Sequence, residues 1–450
     1  MNKEAQYKIL FNLSSIITDY LPKSGGRFLD HLIKNSLGNN YLYEYLKRQS
    51  RLKIKKAKRF EKILVAADLN IGDAIIALSC VSALKKIFPD AEIDLVIKKS
   101  TKSLIEGNPN ISNLFPIYNG APYPTEEDLN RLLSIAEEKK YDLIINFSPM
   151  ISNKTFGRNN VINYSLMAAK LIKDEFAKNP VNNIIYQAYN FIGEIFHEYL
   201  PEDFCWQYNG PSIYLSNEAI ESAESFLLSR RIDRSEPIIM FNPDASSIFT
   251  RMPFDFQVEL LGRLTDIQCS ILLGAGHVEK YIEQRLINSL PNPAKQKVTI
   301  VPASMQLDEY TALIDEADIF ISGDTGNLHL ASAWKCPRDD RKSLRNKTAV
   351  FSIFGGTPPK MYGYDSNSPG FFAANQDAPS KVFIASSKCR NITCINKMAK
   401  TCSEVRCFQG LQPEEIVFAA AKQITSTVRS LRADNWAFIN NGISSYKKIG

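Results

Sequence analysis

From Lys62 onward the chain alternates short apolar runs with helix-length segments of mixed polarity. The first run, Ile63-Leu64-Val65-Ala66-Ala67, leads through a loop containing Gly72 into Ala74–Phe88, which reads as a helix. Runs at Ile93–Ile97, Leu114–Ile117 and Leu143–Ile145 continue the series. It restarts at Pro237–Phe241 and passes through Cys269–Leu273, Val298–Val301, Ile319–Ser322 and Thr348–Phe354. Apolar strands separated by helices are the pattern of parallel sheets covered on both faces. Pro413-Glu414-Glu415 opens a last helix to about Leu431, with proline and carboxylates where a helix start favours them. The first 61 residues read instead as short amphipathic helices broken at Lys23-Ser24-Gly25-Gly26 and Leu37-Gly38-Asn39-Asn40. The expected fold class is α/β: two Rossmann-like domains facing a cleft, with an N-terminal helical extension. The expected bounds are an extension over 1–61, domains over 62–208 and 209–410, a helix over 411–432 and a tail over 433–450.

Composition narrows this picture. A length of 450 residues calls for more than one core, and 44% hydrophobic with 23% charged residues excludes disorder and collagen-like repeats. No run approaches the length of a spanning helix, and Met1–Leu10 lacks the apolar core of a signal peptide, so a cytoplasmic location is expected. The net charge of +6 is a local property, because residues 1–62 hold 14 Lys/Arg against 5 Asp/Glu while the remainder is net acidic. Nine cations fall between Lys47 and Lys62. They suit either a solvated helical face or peripheral contact with an anionic membrane. With an acidic body and no reading motif, nucleic acid is not an expected partner.

The chemistry sits in loops after strands, where open α/β sheets bind ligands. After the first strand comes Asp68-Leu69-Asn70-Ile71-Gly72-Asp73, and after a later one Ser322-Gly323-Asp324-Thr325-Gly326-Asn327-Leu328-His329. Together with Phe88-Pro89-Asp90, Gly107-Asn108-Pro109, Asn242-Pro243 and Phe354-Gly355-Gly356-Thr357, their order and spacing resemble glycosyltransferase family 9, the bacterial heptosyltransferases, over roughly residues 62–425. The resemblance implies a GT-B fold. It also implies an acceptor held by the first domain and a nucleotide-diphosphate sugar, such as ADP-heptose, held by the second. The reaction would be an inverting transfer that needs no metal or other catalytic cofactor, onto a hydroxyl of lipopolysaccharide core, another glycolipid or a glycoprotein.

Sugar transfer to a hydroxyl needs a base for the acceptor proton and an electropositive surface for the departing diphosphate. By the resemblance Asp73 is the base, and Asn70 and Gly72 belong to the acceptor-side loop. As a residue, Asp73 is equally suited to capping the helix that follows. On the donor side the resemblance points to Asn242, Ser246, Arg251, Gly274, Asp324, Thr325, Gly326 and His329. The Asp324-Thr325-Gly326 amides precede a helix from Asn327 to Ala333 and can face a diphosphate, and a protonated or neutral His329 could donate to it.

The chain departs from the family pattern in two places. Thr250 stands where lysine is common and Met252 where tryptophan is, leaving Arg251 as the cation of that loop. Cys336–Lys347 carries five cations and reads as an inserted basic loop. Cys389, Cys394, Cys402 and Cys407 have a C-x4-C-x7-C-x4-C spacing that suits either a structural zinc or iron site or four reduced thiols. A catalytically weakened GT-B scaffold that binds nucleotide or glycan is the alternative function. An NAD-dependent oxidoreductase is disfavoured because the first strand is not followed by G-x-G-x-x-G.

Overall fold

The computed structural model describes residues 51, 54, 59–67, 70–118, 125–147, 161–163, 183–200, 202, 210–245, 250–274, 279–336, 348–368, 379–384, 406–408 and 410–426. The chain divides into two compact units, Met1–Tyr214 and Leu215–Gly450.

The first unit is built on β1 (Lys62–Ala66), α1 (Ile71–Ile87), β2 (Glu92–Lys98), a short α2 (Lys102–Ile105), β3 (Asn113–Tyr118), α3 (Glu126–Lys139), β4 (Leu143–Asn146), β5 (Val161–Asn163), α4 (Ile184–Ile195) and β6 (Ser212–Tyr214). Five strands form a parallel sheet in the order β3-β2-β1-β4-β5. In β1 every residue after Lys62 is buried, because helices cover both faces. Leu64 and Ala66 join Val96, Ile144, Leu132 and Ala136 on the α3 side. On the opposite side α1 is apolar almost all round, since it lies between the sheet and α4. Its Ser79 hydroxyl donates to the Ile185 carbonyl at 3.3 Å and its Cys80 thiol to that of Ala188 at 3.2 Å. Lys85 and Lys86 end α1, where cations complement the helix dipole.

The second unit contains α5 (Asn217–Ser229), β7 (Ile238–Asn242), α6 (Phe254–Leu264), β8 (Ser270–Leu273), α7 (Ile282–Ser289), α8 (Asn292–Lys295), β9 (Val298–Ile300), α9 (Leu307–Glu316), β10 (Ile319–Gly323), α10 (Gly326–Ser332), β11 (Trp334–Cys336), β12 (Ala349–Phe354), α11 (Pro359–Tyr362) and β13 (Ser380–Ile384). Its six-stranded parallel sheet runs β13-β12-β10-β7-β8-β9. A helix over 413–426 belongs to this unit's core, where Ile416, Ala420 and Ile424 join Leu260, Leu264, Ile319 and Phe351. Residues 427–431 of the expected helix lie outside the described residues.

Each sheet has a point where the strand order reverses, between β1 and β4 in the first and between β7 and β10 in the second. Open α/β sheets place ligands at such points, beyond the carboxyl ends of the strands. Both units secure that point with the same device. Asp142, just before β4, accepts from the backbone N–H groups of Glu61 and Lys62 at 2.8 and 2.9 Å. Asp318, just before β10, accepts from that of Ile238 at 2.8 Å.

Of the basic N-terminal run, Arg51, Ile54, Arg59, Phe60 and Lys62 are described. Arg51 donates through Nε and Nη2 to the Glu194 carbonyl at the end of α4, at 3.1 and 2.6 Å. Ile54 is buried, and its carbonyl accepts from the Tyr199 hydroxyl at 3.2 Å. Phe60 meets Phe88, Phe196 and Tyr199 in an aromatic quartet with centroids 5.3 to 6.0 Å apart. At least part of the run is therefore docked on the first unit. The expected helices of residues 1–50 lie outside the described residues. Among the described residues no helix is long and apolar enough to cross a membrane.

Candidate active site

In the first unit the chain leaves β1 at Ala67, whose N–H bonds the Val96 carbonyl, and enters α1 through Asn70. Asn70 is extended, with φ −76° and ψ −175°, and forms a capping box with Asp73. Its backbone N–H donates to Asp73 Oδ2 at 3.2 Å. Asp73 is thus both the helix cap and a half-buried carboxylate at the reversal point, so the two readings of this residue describe one placement. Gly72 is half-buried beside it and Asn70 is exposed. Lys98, at the end of β2, donates to Asn70 Oδ1 at 3.0 Å. The Gly107-Asn108-Pro109 motif is structural: Asn108 turns the chain by accepting from the Asn110 N–H, and a Cβ on Gly107 would meet the Tyr214 carbonyl at 2.9 Å.

In the second unit the loops after β7 and β10 lie side by side and are joined by Asn242. This residue is only 2% exposed, and its amide is fully used. Nδ2 donates to Ser322 Oγ at 3.0 Å and to the Asp244 carbonyl at 3.1 Å, while Oδ1 accepts from Asn327 Nδ2 at 3.2 Å and from the Tyr310 hydroxyl at 3.5 Å. Asn242 therefore holds the loops together and has no polar atom left for a ligand. Gly274 serves the same junction, since a Cβ there would stand 2.8 Å from the Tyr310 hydroxyl. Gly323 has to be a glycine because the Thr250 carbonyl stands 2.6 Å from where its Cβ would be. Thr325 caps α10 by accepting from the Leu328 N–H and shares a 3.2 Å hydrogen bond with Ser322. Gly326 begins that helix, half-buried.

Arg251 does not offer an unspent charge. Its guanidinium, 16% exposed, pairs with Asp244 at 3.1 Å and with Glu279, and donates to the Ala245 carbonyl at 2.8 Å. Glu279 also pairs with Arg285. Buried Nε has no partner among the described residues. Met252 is buried in the second unit's core, filling with an apolar side chain the position where the resemblance expects tryptophan.

Asp324 is half-buried, and burial pushes its carboxyl up to about 6, a rise partly offset by the Thr357 hydroxyl beside it. His329 is buried, and burial lowers its imidazole to about 4. Its Nδ1 is 2.7 Å from the Tyr364 hydroxyl. Of the two forms expected for His329, protonated or neutral, burial favours the neutral one, with the ring anchored against Tyr364.

Ser246 lies outside the described residues, as do Cys389, Cys394, Cys402 and the basic segment 337–347. Cys407 is described and buried, and the described residues contain no group of three or more metal-binding side chains. Lys98, Asp244, Glu279, Tyr310 and Tyr364 were not singled out by sequence reasoning. Each reaches its partner through sheet register or loop packing, which leaves no local motif to read.

Residues 196–388 match the family model described as Glycosyltransferase family 9 (heptosyltransferase). Over that span the chain resembles glycosyltransferase family 9. Across 322 residues this chain is 21% identical to lipopolysaccharide heptosyltransferase 3 of Escherichia coli strain K12, an alignment covering 69% of this chain and 88% of that protein. The fold matches the crystal structure of a family 9 glycosyl transferase from Veillonella parvula with a TM-score of 0.61 at 16% identity, covering 82% of this chain and 99% of that one. It also matches the E. coli ADP-heptose lipopolysaccharide heptosyltransferase II, with a TM-score of 0.56 at 15% identity over 82% and 99%. The fold of this glycosyltransferase is therefore GT-B.

Proposed function

We propose that this glycosyltransferase moves a heptose-type sugar from a nucleotide diphosphate, ADP-heptose in the first instance, to a hydroxyl of lipopolysaccharide core or a related glycoconjugate, with inversion and without a catalytic metal. The carrying observation is Asp73, a carboxylate held by its own helix cap at the reversal point of the first sheet. In this reading Asp73 takes the acceptor proton as the hydroxyl oxygen attacks the anomeric carbon, and the bond to the diphosphate breaks on the opposite face.

The second unit receives the leaving group. Backbone amides of Asp324, Thr325 and Gly326 supply hydrogen-bond donors, and Asp324 becomes protonated as the diphosphate approaches, because a carboxyl already raised to about 6 rises further beside a second anion. Asn242, Gly274 and Gly323 keep the two loops in contact. Arg251, whose Nε is unpartnered among the described residues, stiffens the donor loop through Asp244, Glu279 and the Ala245 carbonyl. The four-cysteine segment takes no part in the chemistry. Residues 47–62 could give peripheral contact with an anionic inner-membrane surface through the cations that are not docked on the first unit.

The neutralisation of Arg251 by Asp244 and Glu279 is also what favours the second reading, a GT-B scaffold of weakened turnover. One experiment separates the two: incubation with ADP-heptose and truncated lipopolysaccharide cores, following ADP release and the anomeric configuration of the product. Release that depends on acceptor, gives inverted product and persists in chelator supports transfer. ADP binding with no release for any acceptor supports the scaffold.

A further inference from the structure

We propose that Lys98 is a positioning residue for Asp73, acting through Asn70; the inference rests on Asp73 being the base. Lys98 ends β2, and the parallel register that pairs Ala66 with Val96 brings it beside the loop that follows β1. It is 9% exposed, so the side chain as a whole is largely withdrawn from water. Such a group needs partners. Among the described residues the ammonium has one hydrogen bond, to the neutral Oδ1 of Asn70 at 3.0 Å, and no carboxylate within ion-pairing distance.

Asn70 is exposed, and among the described residues its side chain is held, apart from Lys98, only by the helix cap it forms with Asp73. With Oδ1 held by the lysine, the residue is fixed at the position where its backbone N–H donates to Asp73 Oδ2. The three residues form a line: the Lys98 ammonium holds an amide, the amide's residue caps the helix, and the cap sets the carboxylate. Lys98 does not touch the reacting atoms in this arrangement. Its contribution is the orientation of the base, a quantity to which transfer rates are sensitive. The long stem of Lys98 packs in the sheet independently of the head group, so a methionine keeps the packing and removes the hydrogen bond.

The test compares Lys98→Met, Lys98→Arg, Asn70→Ala, the Lys98→Met/Asn70→Ala double variant and Asp73→Asn in transfer from ADP-heptose to truncated lipopolysaccharide core, with ADP affinity measured by calorimetry. Expected are a kcat lowered about tenfold in Lys98→Met and in Asn70→Ala with ADP affinity within about twofold of wild type, recovery in Lys98→Arg, and a double variant no slower than the worse single variant. Full kcat in Lys98→Met, or single losses that multiply in the double variant, would overturn the relay. Should Lys98→Met not fold, the exposed Asn70→Ala carries the test, and its full kcat overturns the proposal equally. If Asp73→Asn retains wild-type turnover, the base assignment itself falls and the positioning role with it. If Asp73→Asn collapses while Lys98→Met and Asn70→Ala do not, only the positioning role is lost.

Discussion

The two units share a plan and diverge in one place. Both are parallel sheets whose central strand is pinned at its start by an aspartate just before the adjacent strand, Asp142 in one and Asp318 in the other. In the first unit the loop after the central strand is short, and its carboxylate is carried on the first turn of α1. In the second the corresponding loop extends from Pro243 to Pro253 and is tied down by an arginine between two carboxylates, by an asparagine hub and by a carbonyl seated on Gly323. The common frame supplies strand ends, and the loops supply chemistry. A short capped loop aims one group, whereas a long braced loop shapes a surface.

The comparison breaks most severely at Arg251. Arg251→Ala leaves Asp244 and Glu279 facing each other, so thermal or denaturant unfolding should show the second unit destabilised by about 3–5 kcal/mol together with loss of ADP affinity. Asp73→Asn should do the reverse, with melting and ADP binding unchanged and turnover down about a hundredfold or more, equivalent to about 2.7 kcal/mol of barrier.

A smaller and pH-dependent effect belongs to Asp324. Its folded-state value of about 6 lies above the 3.8 of an ordinary carboxyl, so the folded chain binds more protons between those values and stability falls as pH rises through the window. Asp324→Asn should therefore raise stability by about 1–3 kcal/mol at pH 7–8, with no gain below about pH 4, and should keep or strengthen ADP binding, because the amide stands in for the protonated carboxyl. Urea titrations at the two pH values check the sign. The smallest effect tests the shared device: Asp142→Ala and Asp318→Ala should each cost about 0.5–1.5 kcal/mol for each strand-start amide left unpaired, a loss seen by hydrogen exchange in the unit that carries the change.

Strands were the most legible feature, because a strand buried on both faces is mostly apolar, as β1, β2, β7, β10 and β12 are, with buried Asp94 in β2 and Ser352 in β12 among the exceptions. The start of α1 was displaced: the sequence suggested Ala74, and the helix begins at Ile71 because Asn70 and Asp73 cap it reciprocally. The Asp73 and Asp324 loops were legible because each is a contiguous motif. The fate of Arg251 was not, since Glu279 lies far along the chain and meets it only when the loops after β7 and β8 converge. The donor-side reading of His329 came from its neighbours in sequence, while its partner in space, Tyr364, comes from beyond β12 and left no local motif to read.

The aromatic quartet of Phe60, Phe88, Phe196 and Tyr199 sets where the first unit truly begins. A chain started at Lys62 would keep all five strands of the first sheet, yet it would lose Phe60 and uncover three rings on the surface below α1. An apolar patch of that kind drives self-association. Such a truncation would give a sheet of native topology that aggregates, and the shortest version of this unit that remains dispersed in water has to reach back past its first strand to include Phe60.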